Sequence, residues 1–266
     1  MVNDADEIRN WWSTSIIDMS PGKISFRGNE IENLIGNISF PQMIWMMVRG
    51  GLPTNEEASL FEAALVAGVD HGPQAPSIAA ARMAATCGVG INNAMATGIN
   101  MLGDIHGGAG EQCAELFYEI SLRIDNGATF EKAIQEALRE WESGNGKIIS
   151  GFGHRFHKPI DPRAPRLLEL VRLAAKDNIV SGKYADIAEA IQSHLSIKKD
   201  IAINIDGATA VIFCELGFPA PLSRGLFCLS RSVGILSHAW EQIEQGGRNK
   251  GPMPPKYLPK YISKNT

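Results

Sequence analysis

The chain has 266 residues, 44% of them apolar and 20% charged, with a formal net charge of -4. That is enough chain for one large domain or two unequal ones around a sizeable core, and the slight acidity gives no global pull toward nucleic acid. The start, "MVNDADEIRNWW", is acidic and polar rather than a secretory leader, and no apolar run approaches the roughly 18 residues of a membrane helix, so a soluble cytoplasmic protein is expected.

From the N-terminus, "TSIIDMSPGKISFRGNEI" reads as a short β-hairpin turning at Pro21-Gly22. "SFPQMIWMMVRGG" has Pro41 where a first helical turn tolerates it and Gly50-Gly51 as its stop. "PTNEEASLFEAALVAG" opens with Thr54 and then Glu57, the capping pair that starts a helix ahead of an apolar stripe. "PSIAAARMAATCG" and "NNAMATGINMLGD" are helices of small residues, suited to close packing and to pairing with a second copy. "GEQCAELFYEISLRIDNG", "FEKAIQEALREWESG", "RAPRLLELVRLAAKDN" and "YADIAEAIQSHL" repeat apolar residues at helical spacing. "DIAINIDGATAVIFCELG" and "SRGLFCLSRSVGILSHAWEQIEQGG" bring the count to about ten helices, without an internal repeat or another alternating run. The closing "GGRNKGPMPPKYLPKYI" is irregular, basic and proline-rich, as a strap over a neighbour would be. The fold class is all-α, and any second domain is inserted rather than strung on a linker. Cys87, Cys113, Cys214 and Cys228 lie far apart in apolar runs and read as reduced core thiols.

The chemistry starts from six histidines. His71, His106 and His154 sit on glycine-rich turns, "VDHGPQAPS", "GDIHGGAG" and "GFGHRFHK", where glycine lets the backbone approach a ligand. Each alone is either a turn histidine with a local hydrogen bond or a site residue; their recurrence in one chain favours a site. His194, beside Lys198 and Lys199, reads as a solvated helix face, and His238, near Trp240, as a packed core histidine. Asp206, in "AINIDGATAV", is either a helix cap before Gly207 or a buried carboxyl whose raised pKa makes it a better base. HExxH, HxH and Cys/His spacings are missing and His154-x-x-His157 alone is weak, so no metal site is expected. No GxSxG elbow occurs, and "GFGHR" lacks the strand and third glycine of a dinucleotide fingerprint. What survives is a His/Asp acid–base site with arginines for carboxylates.

"GFGHRFHKPIDPRA" is similar to the "GFGHRVYK..DPRA" segment of the citrate synthase superfamily. "HGGAG" resembles its "HGGAN", "NIDGATA" its "NVD" and "LSRSVG" its "ARxxG", in the same order over roughly residues 14 to 250. Within the superfamily the chain is closer to citryl-CoA lyases, including the lyase domain of ATP-citrate lyase. "VDHGPQAPSIAAARMA" is similar to their "ADHGPAVSGAHNTI", and "NIDGATA" to their "NVDG". One departure is "DIHGGA" where that lyase domain reads "DRFGGA", which makes His106 the synthase-like choice.

The resemblance implies a large helical domain of residues 1–107 and 220–266, a small helical domain of residues 108–219, and an active site in the cleft between them. It implies cleavage of citryl-CoA, or a close 3-hydroxy-3-carboxy acyl-CoA, to acetyl-CoA and oxaloacetate. The alternatives are a short citrate or alkylcitrate synthase and a non-catalytic CoA-binding subunit. In the implied roles His154 holds the C3 oxygen and moves its proton, Asp206 exchanges the proton beside the thioester, and His106 donates to the thioester oxygen. His71, Arg163 and Arg231 grip carboxylates, joined by Arg248 reaching toward a neighbouring subunit. Lys147, Gly151, Phe152, Gly153, Arg155 and Lys158 meet CoA. No metal or tightly bound cofactor is implied, since the CoA thioester is substrate or product. The partners implied are acyl-CoA and di- or tricarboxylates, with a homodimer or tetramer as the assembly and no nucleic acid or membrane.

Overall fold

The computed structural model describes residues 4–197 and 201–263. The chain divides into two compact units, with the boundary after Glu62.

The first unit opens with α1 (Asp4–Trp11), a helix the sequence reading passed over as a polar start; Ile8, Trp11 and the following Trp12 are exposed. β1 (Ile17–Ser20) pairs antiparallel with β2 (Lys23–Phe26), Ile17 opposite Phe26 and Ser20 opposite Lys23. Pro21 and Gly22 make the expected turn, and Gly22 takes φ 79°, the left-handed value that a Pro-Gly turn requires. β3 (Asn29–Glu30) extends this into a three-stranded sheet, followed by the short α2 (Ile31–Leu34). α3 (Phe40–Arg49) starts at Ser39, whose side chain accepts from the Gln42 N–H while its own N–H donates to Gln42, and stops at Gly50 with φ 92°. Its Trp45 is buried edge-on against Phe61. α4 (Asn55–Gly68) begins with the expected box: Thr54 N donates to Glu57 Oε2 at 2.8 Å and Glu57 N to Thr54 Oγ1 at 3.1 Å. The unit boundary falls inside this helix.

In the second unit, α5 (Pro76–Ala85), α6 (Ile91–Asn100) and α12 (Ala220–Glu244) pack together around Ile78, Ala81, Ala94, Ile235 and Ala239. Gly98 permits this approach: a Cβ there would meet Ile235 Cγ2 at 2.8 Å and Ser77 O at 2.9 Å. The small residues of α5 and α6 therefore serve packing within the chain. α7 (Ala109–Asp125), α8 (Phe130–Asn145), α9 (Arg163–Lys176), α10 (Lys183–Ser196) and α11 (Ile205–Glu215) form the remainder, with α11 packed against α7, α9 and α10. Ala208, Ala210, Val211, Ile212, Phe213 and Cys214 of α11 are buried. Each large apolar side chain so enclosed contributes roughly 1.5–3 kcal/mol.

Two expectations change. Cys87 is exposed and Cys228 half-buried, while only Cys113 and Cys214 are buried thiols. Cys87 follows the C-cap Thr86 and so lies past the apolar face of α5. His238 is not a packed core residue; half-buried, it bonds Asp70 Oδ2 at 3.2 Å and contacts the Arg82 guanidinium at 3.2 Å. His194 is exposed on α10, and Lys198 and Lys199 lie outside the described residues. The segment after α12 holds no helix or strand among the described residues and is moored where Asn249 N donates to Thr86 O. No helix of the described residues is long and apolar enough to cross a membrane.

Candidate active site

A cavity of about 520 Å³ in the second unit collects His71, His106, His154, Arg163, Asp206 and Arg231 from five separate chain segments.

His106 sits on the loop between α6 and α7, closed where Gly103 N donates to the His106 carbonyl. Gly108 has to be glycine, because a Cβ would fall 2.8 Å from Asp104 Cα. Arg224 of α12 holds the same loop by ion pairs to Asp104 and Glu111. The Ser77 backbone N–H, in the first turn of α5, points at His106 Nε2 (3.2 Å), and Ser77 Oγ lies 2.9 Å from the same atom. An N–H aimed at Nε2 makes that nitrogen the acceptor, so the neutral ring carries its proton on Nδ1. Burial, and then Arg231, lower the His106 pKa and favour this neutral form. It is a donor that stays uncharged.

Asp206 lies in the first turn of α11, and the cap there is Asn204. Asn204 Oδ1 accepts from Asp206 N at 2.9 Å and from Gly207 N at 3.2 Å. The capping alternative for Asp206 is thereby removed. Its carboxyl reaches the cavity wall, and burial pushes its pKa up against the opposing pull of Arg163 and Arg231. A carboxyl so poised can both give and take a proton.

The His154 turn is stitched to the segment leading into α11. Gly153 N donates to Ala202 O at 2.8 Å, Asn204 N to Gly151 O at 3.0 Å, and Asn204 Nδ2 to Gly153 O at 2.6 Å. Close contact is possible because Gly151 and Gly207 lack side chains: a Cβ on Gly207 would collide with the Gly151 carbonyl oxygen. His154 Nδ1 accepts from Phe156 N at 3.1 Å and from His157 N at 3.0 Å. The neutral ring therefore presents Nε2–H, and burial lowers its pKa.

Arg163, the first residue of α9, makes a two-pronged pair with Asp161, Nε to Oδ1 and Nη2 to Oδ2, each 2.9 Å. Asp161 is only 2% exposed and also accepts from Ile205 N, so one carboxylate orients both Arg163 and the start of α11. Arg231, in α12, donates from Nε to Gly68 O at 3.0 Å and lies over the Phe227 ring at 4.9 Å. His71 follows Asp70, which accepts from Gly72 N and is bonded to His238. Burial first, then Arg163, lower the His71 pKa.

Arg155 and Gly153 also line the cavity, and Lys158 lines an adjoining recess with His157 and Pro159. Gly151 and Phe152 are buried behind it; Lys147 and Arg248 are exposed and line neither space. Sequence reasoning missed Ser77, Asp70, Asp161, Asn204 and Arg224, which hold the site residues in place. Asn204 alone carried a local signal, as an Asn ahead of an apolar helix.

Residues 55–252 match the family described as citrate synthase, C-terminal domain. The chain is 32% identical over 202 residues to a citrate synthase of Saccharolobus solfataricus, an overlap of 74% of this chain and 51% of that protein. It thus spans about half the length of the curated relatives it matches. Its fold is similar to that of a citryl-CoA lyase from Hydrogenobacter thermophilus, with TM-score 0.80, 31% identity and 96% of each chain covered. It is also similar to a Thermoplasma acidophilum citrate synthase solved with carboxymethyl coenzyme A and oxaloacetate, with TM-score 0.67, 26% identity, 86% of this chain and 59% of that one.

Proposed function

The chain belongs to the citrate synthase family, and from that premise we propose that it cleaves citryl-CoA, or a close 3-hydroxy-3-carboxy acyl-CoA, to acetyl-CoA and oxaloacetate. The observation that carries this reading is the end-to-end match in length and fold to a citryl-CoA lyase. We further take it to act in the cytoplasm as a homodimer, with residues 108–219 as the small domain that closes over the substrate and excludes water.

In the proposed reaction Arg163 and Arg231 bind the carboxylates through the guanidinium N–H groups that Asp161 and the Gly68 carbonyl leave free. His154 donates Nε2–H to the C3 oxygen and holds it. The two backbone N–H groups on its Nδ1 make His154 a poor acceptor for the hydroxyl proton. His71 is the better placed base: its ring lies 5.1 Å from that of His154, and its ring nitrogens have no hydrogen-bond partner among the described residues. As the C2–C3 bond breaks, its electron pair passes to the thioester, whose oxygen accepts from His106 Nδ1–H. Asp206, whose pKa burial pushes up, delivers a proton from its acid form to C2 and completes acetyl-CoA. Arg155, on the cavity wall, and Lys158, on the adjoining recess, are the side chains proposed to meet CoA phosphates.

A short citrate or alkylcitrate synthase is the second reading, favoured by the 32%-identical relative and by His106 in its "HGGA" turn. In that direction Asp206 takes the methyl proton, His154 Nε2–H meets the keto oxygen with no change of tautomer, and the thioester product is hydrolysed. The test is to incubate the pure protein with citryl-CoA and follow oxaloacetate, without ATP or added metal. Oxaloacetate with acetyl-CoA is expected. Release of citrate and free CoA instead would favour the synthase reading, and no turnover in either direction would leave a different acyl-CoA or a CoA-binding subunit.

A further inference from the structure

His157 has no part in the chemistry above, yet its ring lies 4.5 Å from that of His154 and 5.6 Å from that of His71. One ring nitrogen from each of the three lies within 4.8 Å of the others, all are half-buried, and they meet where the cavity joins its neighbouring recess. In sequence only the His154/His157 pair was visible; His71 arrives from 83 residues away in the fold. Histidine at 157 stands where the "GFGHRVYK" pattern has tyrosine.

We propose that His71, His154 and His157 form a binding site for a borderline divalent transition-metal ion, with Zn²⁺ as its best occupant, and that the bound ion shuts the active site. Neutral imidazoles are the preferred nitrogen ligands of such ions. Neither His71 nor His157 has a hydrogen-bond partner on its ring nitrogens among the described residues, leaving their lone pairs available. Arg163 would oppose a cation, but its charge is matched by the two-pronged pair with Asp161. Three ligand atoms on a tetrahedral zinc at 2.0–2.1 Å lie about 3.4 Å apart, so small ring rotations close the present spread. The fourth position stays open to water, as in three-histidine zinc sites. His154 must give up either its two backbone donors or its Nε2 proton to ligate, which makes the site weaker and more readily reversed than a structural zinc centre. With the ion in place, neither His71 nor His154 can reach a substrate.

Binding stands apart from the reaction, whereas inhibition rests on the proposed chemistry, so the experiment separates them. Zn²⁺ alone is titrated calorimetrically into the full chain with no substrate present, and Co²⁺ is titrated in parallel for the visible absorption of a low-coordinate nitrogen site. One ion per chain is expected, with affinity reduced roughly tenfold or more in both His157→Gln and His157→Tyr. Those variants should keep the wild-type circular dichroism and their activity, and should lose sensitivity to Zn²⁺ in whichever direction the enzyme runs. Equal affinity in wild type and both variants, or no binding by wild type, overturns the proposal even if turnover is as expected. Tight binding that leaves activity unchanged overturns the inhibitory part.

Discussion

Asp206 enters its helix with Asn204 already serving as the cap, so the Asp206 carboxyl is free for chemistry. Asp206→Asn keeps the size and cannot carry the proton; a nearly unchanged melting curve is expected, with turnover reduced roughly 10²–10⁴-fold. Solvent exchange of the acetyl-CoA methyl protons, followed by NMR, should stop, and persistence of that exchange would remove Asp206 from its role. Ser77→Ala deletes the hydroxyl beside His106 Nε2 and keeps the backbone N–H, so a loss of about 1 kcal/mol, near fivefold in kcat, is expected. His71, His106 and His154 all have pKa values below the ordinary 6.5. Below 6.5 the unfolded chain binds protons that the folded one refuses, so stability rises with pH through that window and is lost on acidification. Asp206, with its raised value, works in the opposite sense, contributing stability in acid that fades as pH rises through its folded pKa. A melting temperature that falls as pH drops from about 7.5 to 5.5, and falls less in His106→Asn, would bear this out. The glycine-rich turns announced these histidines in the sequence. Their partners were hidden, because Ser77 lies 29 residues from His106 and Asp70 lies 168 from His238, and no local pattern encodes such pairs.

Among the elements, what local chemistry controls was legible. Pro21-Gly22, Gly50 and the Thr54/Glu57 box each act within four residues and mark the boundaries they were read to mark. β3 and α1 were not legible, since two residues make no alternation and residues 6–11 of α1 are all exposed. The small residues of α5 and α6 were read as suited to close packing, and on one face they admit α12. Asn204→Ala should cost about 1 kcal/mol from the lost cap. It should also lower activity beyond that stability loss, because the same side chain donates to Gly153 O beside His154. Differential scanning calorimetry with a kcat measurement separates the two effects. Gly234→Ala drives a methyl into the Val69 carbonyl, and a destabilisation of roughly 1–3 kcal/mol is expected with a loosened His71 turn.

For the whole molecule, α12 carries Leu229, Val233, Leu236, Trp240 and Ile243 exposed at alternating spacings of four and three, a stripe facing away from α5 and α6. This stripe is a surface expected to meet the second copy of the proposed dimer. Light scattering should give twice the 28.8 kDa chain mass, and Trp240→Glu should shift the population toward monomer. A monomer at micromolar concentration would sink the dimer. The stitch between the His154 turn and the start of α11 has one more consequence, visible in the rate at which amide hydrogens trade with solvent deuterium. Gly153 and Asn204 each donate a backbone N–H across that seam. Opening it exposes both amides together, so residues 51 apart in sequence should share one protection factor and lose it in one step.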